Sequence, residues 1–319
     1  MPSEPNAGRF STFAKRFGIG VALVLELIVF SVLSPYFFTA ENLLNVSLQA
    51  SITAIIAAGM TFVILTGGID LSVGSLVALA GIVATLVLKL DLPLVAGFSL
   101  AMAAGLLVGA GSGEAAGFCI TRFKITPFIV TLALMTIWRG TAFVVTEGRP
   151  VWELPEEFAA LGSGRILGIP IPALIMALVF VSSHIVLTKT RFGRHVYAVG
   201  GNSEAARLAG INTRRVLTIV YVICGVLSAL SGILLASRMN SGQPNAGLMY
   251  ELDVIAAVVV GGTSLTGGRG SIAGTFLGAM LIAVLRNGLN MMNVGSYVQQ
   301  VVVGMVILLA VMLDQLRRR

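Results

Sequence analysis

The stretch VSLQASITAIIAAGMTFVILTGGIDLSVGSLVALAGIVATLVLKL at 46–90 decides the class of fold. It holds two apolar runs, each about as long as a helix that crosses the hydrocarbon of a bilayer. Between them lies the segment LTGGIDLSVGS at 65–75, with three glycines, three hydroxyl side chains and one acid. Glycine disfavours a helix interior, and a carboxylate in hydrocarbon is costly. The segment is therefore either a boundary between helices or the lining of a wet space.

The rest of the chain shares the apolar character of this stretch. Of its 319 residues, 56% are hydrophobic and 11% are charged, whereas a soluble domain carries about 25% charged residues. The composition predicts an all-α, polytopic membrane protein with about ten transmembrane helices, some of them broken or re-entrant. The apolar runs lie at 17–38, 46–66, 71–90, 93–113, 125–146, 171–188, 216–237, 252–262, 272–292 and 297–314. The eighth run is short, so it and the ninth could instead be half-helices.

Basic residues predict the orientation, because Lys and Arg in short loops stay on the cytoplasmic side. They cluster at 1–16, 121–124, 189–215 and 317–319, and ten crossings place all four clusters on one side. Both termini are then cytoplasmic. We expect a cytoplasmic N-terminal tail at 1–16 and one transmembrane domain at 17–319, with a cytoplasmic loop at 189–215. The net charge of +7 follows from these loops, so it gives no support to a nucleic-acid partner.

The segment GGNSEAARLAGINTRR at 200–215 predicts a short cytoplasmic helix. Its first residues suit a helix start, its centre forms a small apolar face, and its glycine suits the C-terminal stop. The residues are Asn202 or Ser203 at the start, Glu204 in the first turn, Ala205, Ala206 and Leu208 on the face, and Gly210 at the stop. A helix this short needs packing to be stable. By physics alone it is either a connector at the lipid interface or a docking element.

Four segments resemble the permease subunits of binding-protein-dependent ABC importers, in the carbohydrate branch that includes the ribose, xylose and galactoside permeases. They are GMTFVILTGGIDLSVGSLVALAG at 59–81, ITPFIVTLALMTIWRGTAF at 125–143, AVGGNSEAARLAGI at 198–211 and YELDVIAAVVVGGTSLTGGRGSIAGTFLGA at 250–279. The resemblance covers nearly the whole chain after residue 40, and it is strongest to the ribose type.

The resemblance implies a homodimer in the bacterial inner membrane, surrounded by lipid. A periplasmic sugar-binding protein delivers a monosaccharide, and a separate ABC ATPase subunit hydrolyses ATP to drive transport. In such permeases a short cytoplasmic helix that contains the sequence Glu-Ala-Ala docks on the ATPase. Carried to this chain, the coupling residues are Asn202, Glu204, Ala205, Ala206, Leu208 and Gly210.

The motifs that the sequence lacks agree with a transport subunit that is not itself an enzyme. There is no G-x-x-x-x-G-K-[ST] for ATP, and GGTSLTGGRG at 261–270 has no Lys at the phosphate position. There is also no H-E-x-x-H, so we expect no metal site and no cofactor bound by this chain.

The polar break after the second run allows two interpretations that are compatible. Gly67 and Gly68 can end one helix while Asp70 and Ser72 cap the next. The same polar groups, with Thr66, can form a cytoplasmic gate of the translocation pathway. LTGG recurs at 265–268, on the same predicted side, so the echo does not indicate an inverted repeat.

Further polar positions remain open. Arg139 either snorkels to the outer interface or pairs with an acid in the pathway. Ala116 stands where this family usually has Asn, with Glu114 nearby, which could alter specificity. Glu26 lies inside the first run, with a packing or a functional role. The rival to an ABC permease is a secondary transporter in which Asp70, Glu26 or Glu114 carries a coupling proton.

Overall fold

The computed structural model describes residues 7–316 and is predominantly helical. Residues 1–6 and 317–319, which belong to two of the predicted basic clusters, lie outside that range. Within it the helices are α1 Ala7–Leu33, α2 Ala40–Leu65, α3 Val73–Leu88, α4 Leu94–Phe123, α5 Pro127–Val145, α6 Glu156–Ser163, α7 Ile171–Lys189, α8 Arg191–Gly201, α9 Ser203–Leu208, α10 Thr213–Met239, α11 Tyr250–Val260, α12 Ile272–Met291 and α13 Ser296–Leu316. Two short antiparallel strands, β1 Arg165–Ile166 and β2 Ile169–Pro170, form a hairpin between α6 and α7.

The predicted count of about ten transmembrane helices is not confirmed. In the described part of the chain six helices are long and apolar enough to cross a membrane: α2, α4, α5, α7, α10 and α12. Gly18–Leu33 of α1, all of α3 and Ser296–Val306 of α13 are shorter apolar helices. The eleven residues of α11 rise only about 16 Å, roughly half of the hydrocarbon thickness. The half-helix interpretation therefore fits α11 but not the longer α12.

The central helix of the fold is α2. In its apolar stretch 83% of the residues are buried inside the protein, whereas the buried share is 22% in α4 and in α5. It packs against α7, α10, α11 and α12, while α4 and α5 expose large apolar side chains such as Leu107 and Val144. Because these exposed side chains need lipid around them, α4 and α5 form part of the periphery and α2 lies inside the bundle.

Glycines allow α10 to pack tightly against α4, its most extensive helix contact. A Cβ added at Gly109 would lie 2.4 Å from the carbonyl oxygen of Gly225, and one at Gly113 would lie 2.4 Å from that of Tyr221. Small residues spaced by four bring membrane helices into backbone contact. This contact holds the backbone of α10 against that of α4.

The connection between α5 and α7 contains secondary structure of its own, namely α6 and the hairpin. Val151 forms an isolated bridge with Gly242, and Ser237 at the end of α10 donates a hydrogen bond to the carbonyl of Phe158. The loop is thereby fastened over the C-terminal end of α10.

Candidate functional site

The helix predicted in the segment at 200–215 is α9, and its two ends have the predicted chemistry. Asn202 Oδ1 accepts a hydrogen bond from the backbone N–H of Ala205 at 2.9 Å. Gly210 has φ +84°, and the N–H groups of Gly210 and Ile211 donate to the carbonyls of Arg207 and Ala206, both at 3.0 Å. This is the paired bonding of a glycine helix stop. The capping predictions for Asn202 and Gly210 are therefore confirmed.

The surface of α9 is almost entirely exposed. Ala206 alone of 201–210 is buried, and Leu208 is 75% exposed. Glu204 and Arg207 form an exposed ion pair with an Nη2 to Oε1 distance of 2.5 Å. The hydrogen bond from Arg207 lowers the pKa of Glu204. This six-residue helix therefore exposes an apolar side chain beside a pair of charged ones.

The preceding helix, α8, ends against two loops that are distant in sequence. A Cβ on Gly200 would lie 1.7 Å from the carbonyl oxygen of Leu65 and 2.6 Å from the N–H nitrogen of Gly268. Gly268 N–H itself donates to Leu65 O at 2.9 Å, and Tyr197 Oη donates to Gly270 O at 2.9 Å. We call this meeting of α8 with the α2–α3 loop at 66–72 and the α11–α12 loop at 261–271 the glycine junction.

Both loops of the glycine junction leave their helices in the same way. Gly67 has φ +80°, and Gly68 N–H donates to Val63 O at 3.1 Å. Gly262 has φ +86°, and Thr263 N–H donates to Val258 O at 3.1 Å. The prediction that Gly67 and Gly68 end the second apolar run is confirmed. Thr66, at the end of α2, donates its hydroxyl back to Val63 O at 2.8 Å.

Asp70 and Ser72 form one buried unit before α3. Asp70 Oδ1 accepts from the backbone N–H of Ser72 at 2.9 Å and from its hydroxyl at 2.6 Å, and both residues are at most 2% exposed. Ser72 occupies the N-cap position of α3, as predicted, but its hydroxyl donates to Asp70 and accepts no helix N–H. The expectation that Asp70 caps α3 is wrong, because among the described residues its carboxylate accepts only from Ser72, which precedes the helix.

Comparisons with known proteins decide the class of molecule. A family model described as the permease component of the branched-chain amino acid transport system matches residues 42–311. The chain belongs to this permease family. It is 47% identical to the ribose import permease RbsC of Escherichia coli K12 over 298 residues, 92% of each chain. It is 46% identical to RbsC of Bacillus subtilis 168, over 99% of this chain and 97% of that one. The L-arabinose permease AraH of E. coli K12 is 38% identical over 97% and 93%. No solved structure matches the chain.

Within this multi-pass permease, Arg139 lies apart from the glycine junction. Its Nη1 donates to the carbonyls of Pro244 and Ala246, each at 2.7 Å. Glu251 lines the same pocket and interacts with Arg139 electrostatically. Thr131, on the same helix, donates to Ile69 O at 3.2 Å beside Asp70. The eight residues from Thr131 to Arg139 span about 12 Å. Of the six residues predicted for the pathway or gate, five lie in the α2–α3 loop, and Arg139 lies about 12 Å farther along the membrane.

The sequence also left open the roles of Ala116, Glu114 and Glu26, and the structure places these residues in different surroundings. Ala116 is buried in the main hydrophobic cluster, so packing explains its small size. Glu114 is exposed on α4. In the described part of the chain, Glu26 Oε2 is buried with no hydrogen-bond partner. Of the acids named for a proton-coupled transporter, Glu26 lies on α1, Glu114 lies on α4 and Asp70 lies in the loop before α3.

Two features of the permease were missed in the sequence. The amphipathic helix α8 connects α7 to α9, and its penultimate residue, Gly200, lies at the centre of the glycine junction. The four-residue glycine spacing of 105, 109, 113 and 117 was a visible signal for the tight α4 contact with α10. The sequence contains LTGG at 65–68 and again at 265–268, but only the fold places the two copies beside each other.

Proposed function

We propose that this permease is the membrane-spanning subunit of an ABC importer that carries a ribose-like monosaccharide across the bacterial inner membrane. The similarity to ribose import permeases carries the proposal, because two of them are 46–47% identical across at least 92% of both chains. A separate ABC ATPase subunit supplies the energy, and a periplasmic sugar-binding protein supplies the sugar. The permease itself binds neither ATP nor another cofactor.

The coupling helix in this proposal is α9. Its exposed surface includes Glu204, Ala205 and Leu208, while Asn202 and Gly210 fix its two ends. Movement of α9 by the ATPase would reach α8 directly, since one residue joins the two helices. From α8 it would pass through the backbone contacts of Gly200 to the loops that end α2 and α11.

The gate in this proposal is the α2–α3 loop. This loop is part of the glycine junction and follows α2, the central helix of the bundle. It contains the gate candidates Thr66, Gly67, Gly68, Asp70 and Ser72. Displacement of α8 would change how this loop closes the cytoplasmic end. Arg139 acts at the other level, where it holds the backbone at 240–249 in place.

The proposed topology has ten membrane segments, with α11 as a half-helix, and both termini in the cytoplasm. The loop with α8 and α9 then faces the ATPase, and the loop with α6 faces the binding protein. We further propose that two copies of the chain form the transmembrane pore, as the resemblance to carbohydrate permeases implies. A proton-coupled transporter is not favoured, because the named relatives are import permeases.

The test is a mild-detergent purification of the tagged chain from its native membranes, with mass spectrometry of its partners and D-ribose uptake by the same cells. We expect an ATPase with a Walker motif to co-purify with the wild type and to be lost from Glu204→Lys. Glu41→Lys makes the same charge change in the first turn of α2, at the opposite end of that helix from the junction, and should retain the ATPase. Purification of the chain alone, with uptake abolished by an uncoupler, would contradict the proposal.

A further inference from the structure

A polar cavity of about 230 Å³ lies between α2, α10, α11 and α12, away from the glycine junction. Its polar lining residues are Gln49, Thr53, Arg238, Tyr250, Asp253 and Arg286, and the remaining lining is mostly alanine. Pockets for drug-sized ligands measure about 300–1,000 Å³. A smaller cavity fits a molecule of the size of one sugar ring.

The cavity is well separated from the cytoplasmic end of α2. Thr53 precedes the end of that helix at Leu65 by twelve residues, or about 18 Å of helix rise. Tyr250, at the cavity, is the first residue of the half-helix α11. The preceding backbone at 240–249 is largely non-helical, and such backbone at membrane depth occurs where it is buried in protein or lines a wet space.

The cavity contains an ion pair between α11 and α12. Arg286 Nη2 lies 2.6 Å from Asp253 Oδ1, with side-chain exposures of 36% and 13%. Ionisable residues in a membrane are costly, so each is by default a candidate functional residue. The pair alone could still be a brace, since it joins two helices.

Two observations exceed what a brace requires. Among the described residues, none accepts a hydrogen bond from Arg286 Nε, although that atom is buried. A third helix, α2, also contributes Gln49 and Thr53 to the same cavity. The hydroxyl of Thr53 makes only a long bond of 3.3 Å, to Ala50 O. Donors and acceptors from α2, α11 and α12 therefore converge beyond the needs of the ion pair.

We propose that this cavity is the place where a neutral monosaccharide contacts the permease during passage. The inference rests on the transport function proposed above. Each sugar hydroxyl both donates and accepts hydrogen bonds, so it needs the mixture that Arg286, Asp253 and Gln49 provide. The ring of Tyr250 offers an apolar face for the C–H groups of the sugar. The charges of Asp253 and Arg286 offset each other. Arg238, the third charged lining residue, is exposed, so solvent screens its charge, and the lining favours an uncharged ligand.

The first test is D-ribose uptake by proteoliposomes that contain the complete transporter with its binding protein. Thr53→Val and Gln49→Ala should each lower the initial rate about two- to tenfold, the effect of losing one hydrogen bond. Arg286→Lys keeps the charge but loses the forked donors, and should lower the rate about tenfold. The matched control is Thr141→Val on α5, where the lost hydroxyl bonds only to its own helix. Its rate should stay within about twofold of the wild type.

The second test is chemical protection. Thr53→Cys is placed in a background with Cys119→Ser and Cys224→Ala, with Thr141→Cys as the control. D-ribose with the binding protein and ATP should slow maleimide labelling of Cys at 53 but not at 141. If Arg286→Lys fails to assemble, the variants at Thr53 and Gln49 still decide.

The outcomes separate this inference from the proposed function. Wild-type proteoliposomes that take up L-leucine instead of D-ribose would overturn the proposed function itself. Wild-type ribose uptake with unchanged rates in Thr53→Val and Gln49→Ala, and with no protection at position 53, would overturn the cavity alone. Asp253 and Arg286 would then be a brace between two helices.

Discussion

Adjacent glycines in α8 show how differently one residue type can act. Gly200 touches Leu65 and Gly268 through backbone atoms, while a Cβ on Gly201 would meet nothing within 4 Å. The sequence GG contains no hint of this difference. The distinction comes entirely from what the fold places beside each residue.

Gly200→Ala should therefore disrupt the glycine junction, because its Cβ cannot fit beside Leu65 O unless the backbone shifts. We expect a loss of ribose uptake of about tenfold or more, with the ATPase still bound, since α9 is unchanged. Gly201→Ala is the control and should behave like the wild type. Uptake and ATPase co-purification are measured together, and equal uptake by the two variants would refute the coupling path through Gly200.

Asp70 and Ser72 are buried together, and the local structure needs an oxygen at position 70 that accepts two hydrogen bonds from Ser72. Asp70→Asn keeps an oxygen for both hydrogen bonds, so the melting temperature in detergent should hardly change. Asp70→Leu leaves the Ser72 N–H and hydroxyl unpaired and should destabilise the protein by about 1–3 kcal/mol. If the Asn variant is stable but inactive in uptake, the carboxylate has a role in the gate beyond its hydrogen bonds to Ser72. Unfolding of the Asn variant would contradict the account in which position 70 serves only as an acceptor for Ser72.

At the scale of elements, the unusual piece is the return from α10 to α11. The backbone at 240–249 runs beside α3, where a Cβ on Gly242 would lie 2.3 Å from Thr85 Oγ1 and one on Gly247 would lie 2.4 Å from Gly74 O. Arg139 satisfies two of its carbonyls. This segment leaves α11 too short to span the membrane and places Tyr250 at the cavity.

Arg139→Met should loosen that segment, since each lost charge-assisted bond contributes about 1.5–3 kcal/mol. We expect a lower melting temperature and faster labelling of a cysteine placed at Gln243. Arg122→Met removes the same charge from an exposed site at the end of α4 and serves as the control. Equal labelling rates in the two variants would show that Arg139 does not anchor the segment.

At the scale of the molecule, α9 and α6 occupy connections that the proposed topology places on opposite sides of the membrane. Ser163 in α6 and Leu208 in α9 are both exposed. In the background without native cysteines, Ser163→Cys should react with a membrane-impermeant maleimide from outside intact spheroplasts. Leu208→Cys should react only after lysis. The reverse pattern would invert the topology and remove α9 from the ATPase.

The sequence by itself determined the helical membrane class and most helix positions. The run at 272–292 corresponds to Ile272–Met291, and that at 125–146 to Pro127–Val145. It also determined the ends of α9, because caps and glycine stops act over a few neighbouring residues. Local patterns of this kind need no knowledge of the rest of the fold.

The tertiary structure alone decided which segments meet. Leu65, Gly200 and Gly268 are far apart in the chain, yet their backbones are in contact. Hydropathy measures apolar length, so it could not separate the half-helix α11 from a short span or place Arg139 above the junction. The polar cavity is built by residues from four helices that are distant in the chain. Each of these features depends on packing between distant segments, which a periodic pattern within one segment does not specify.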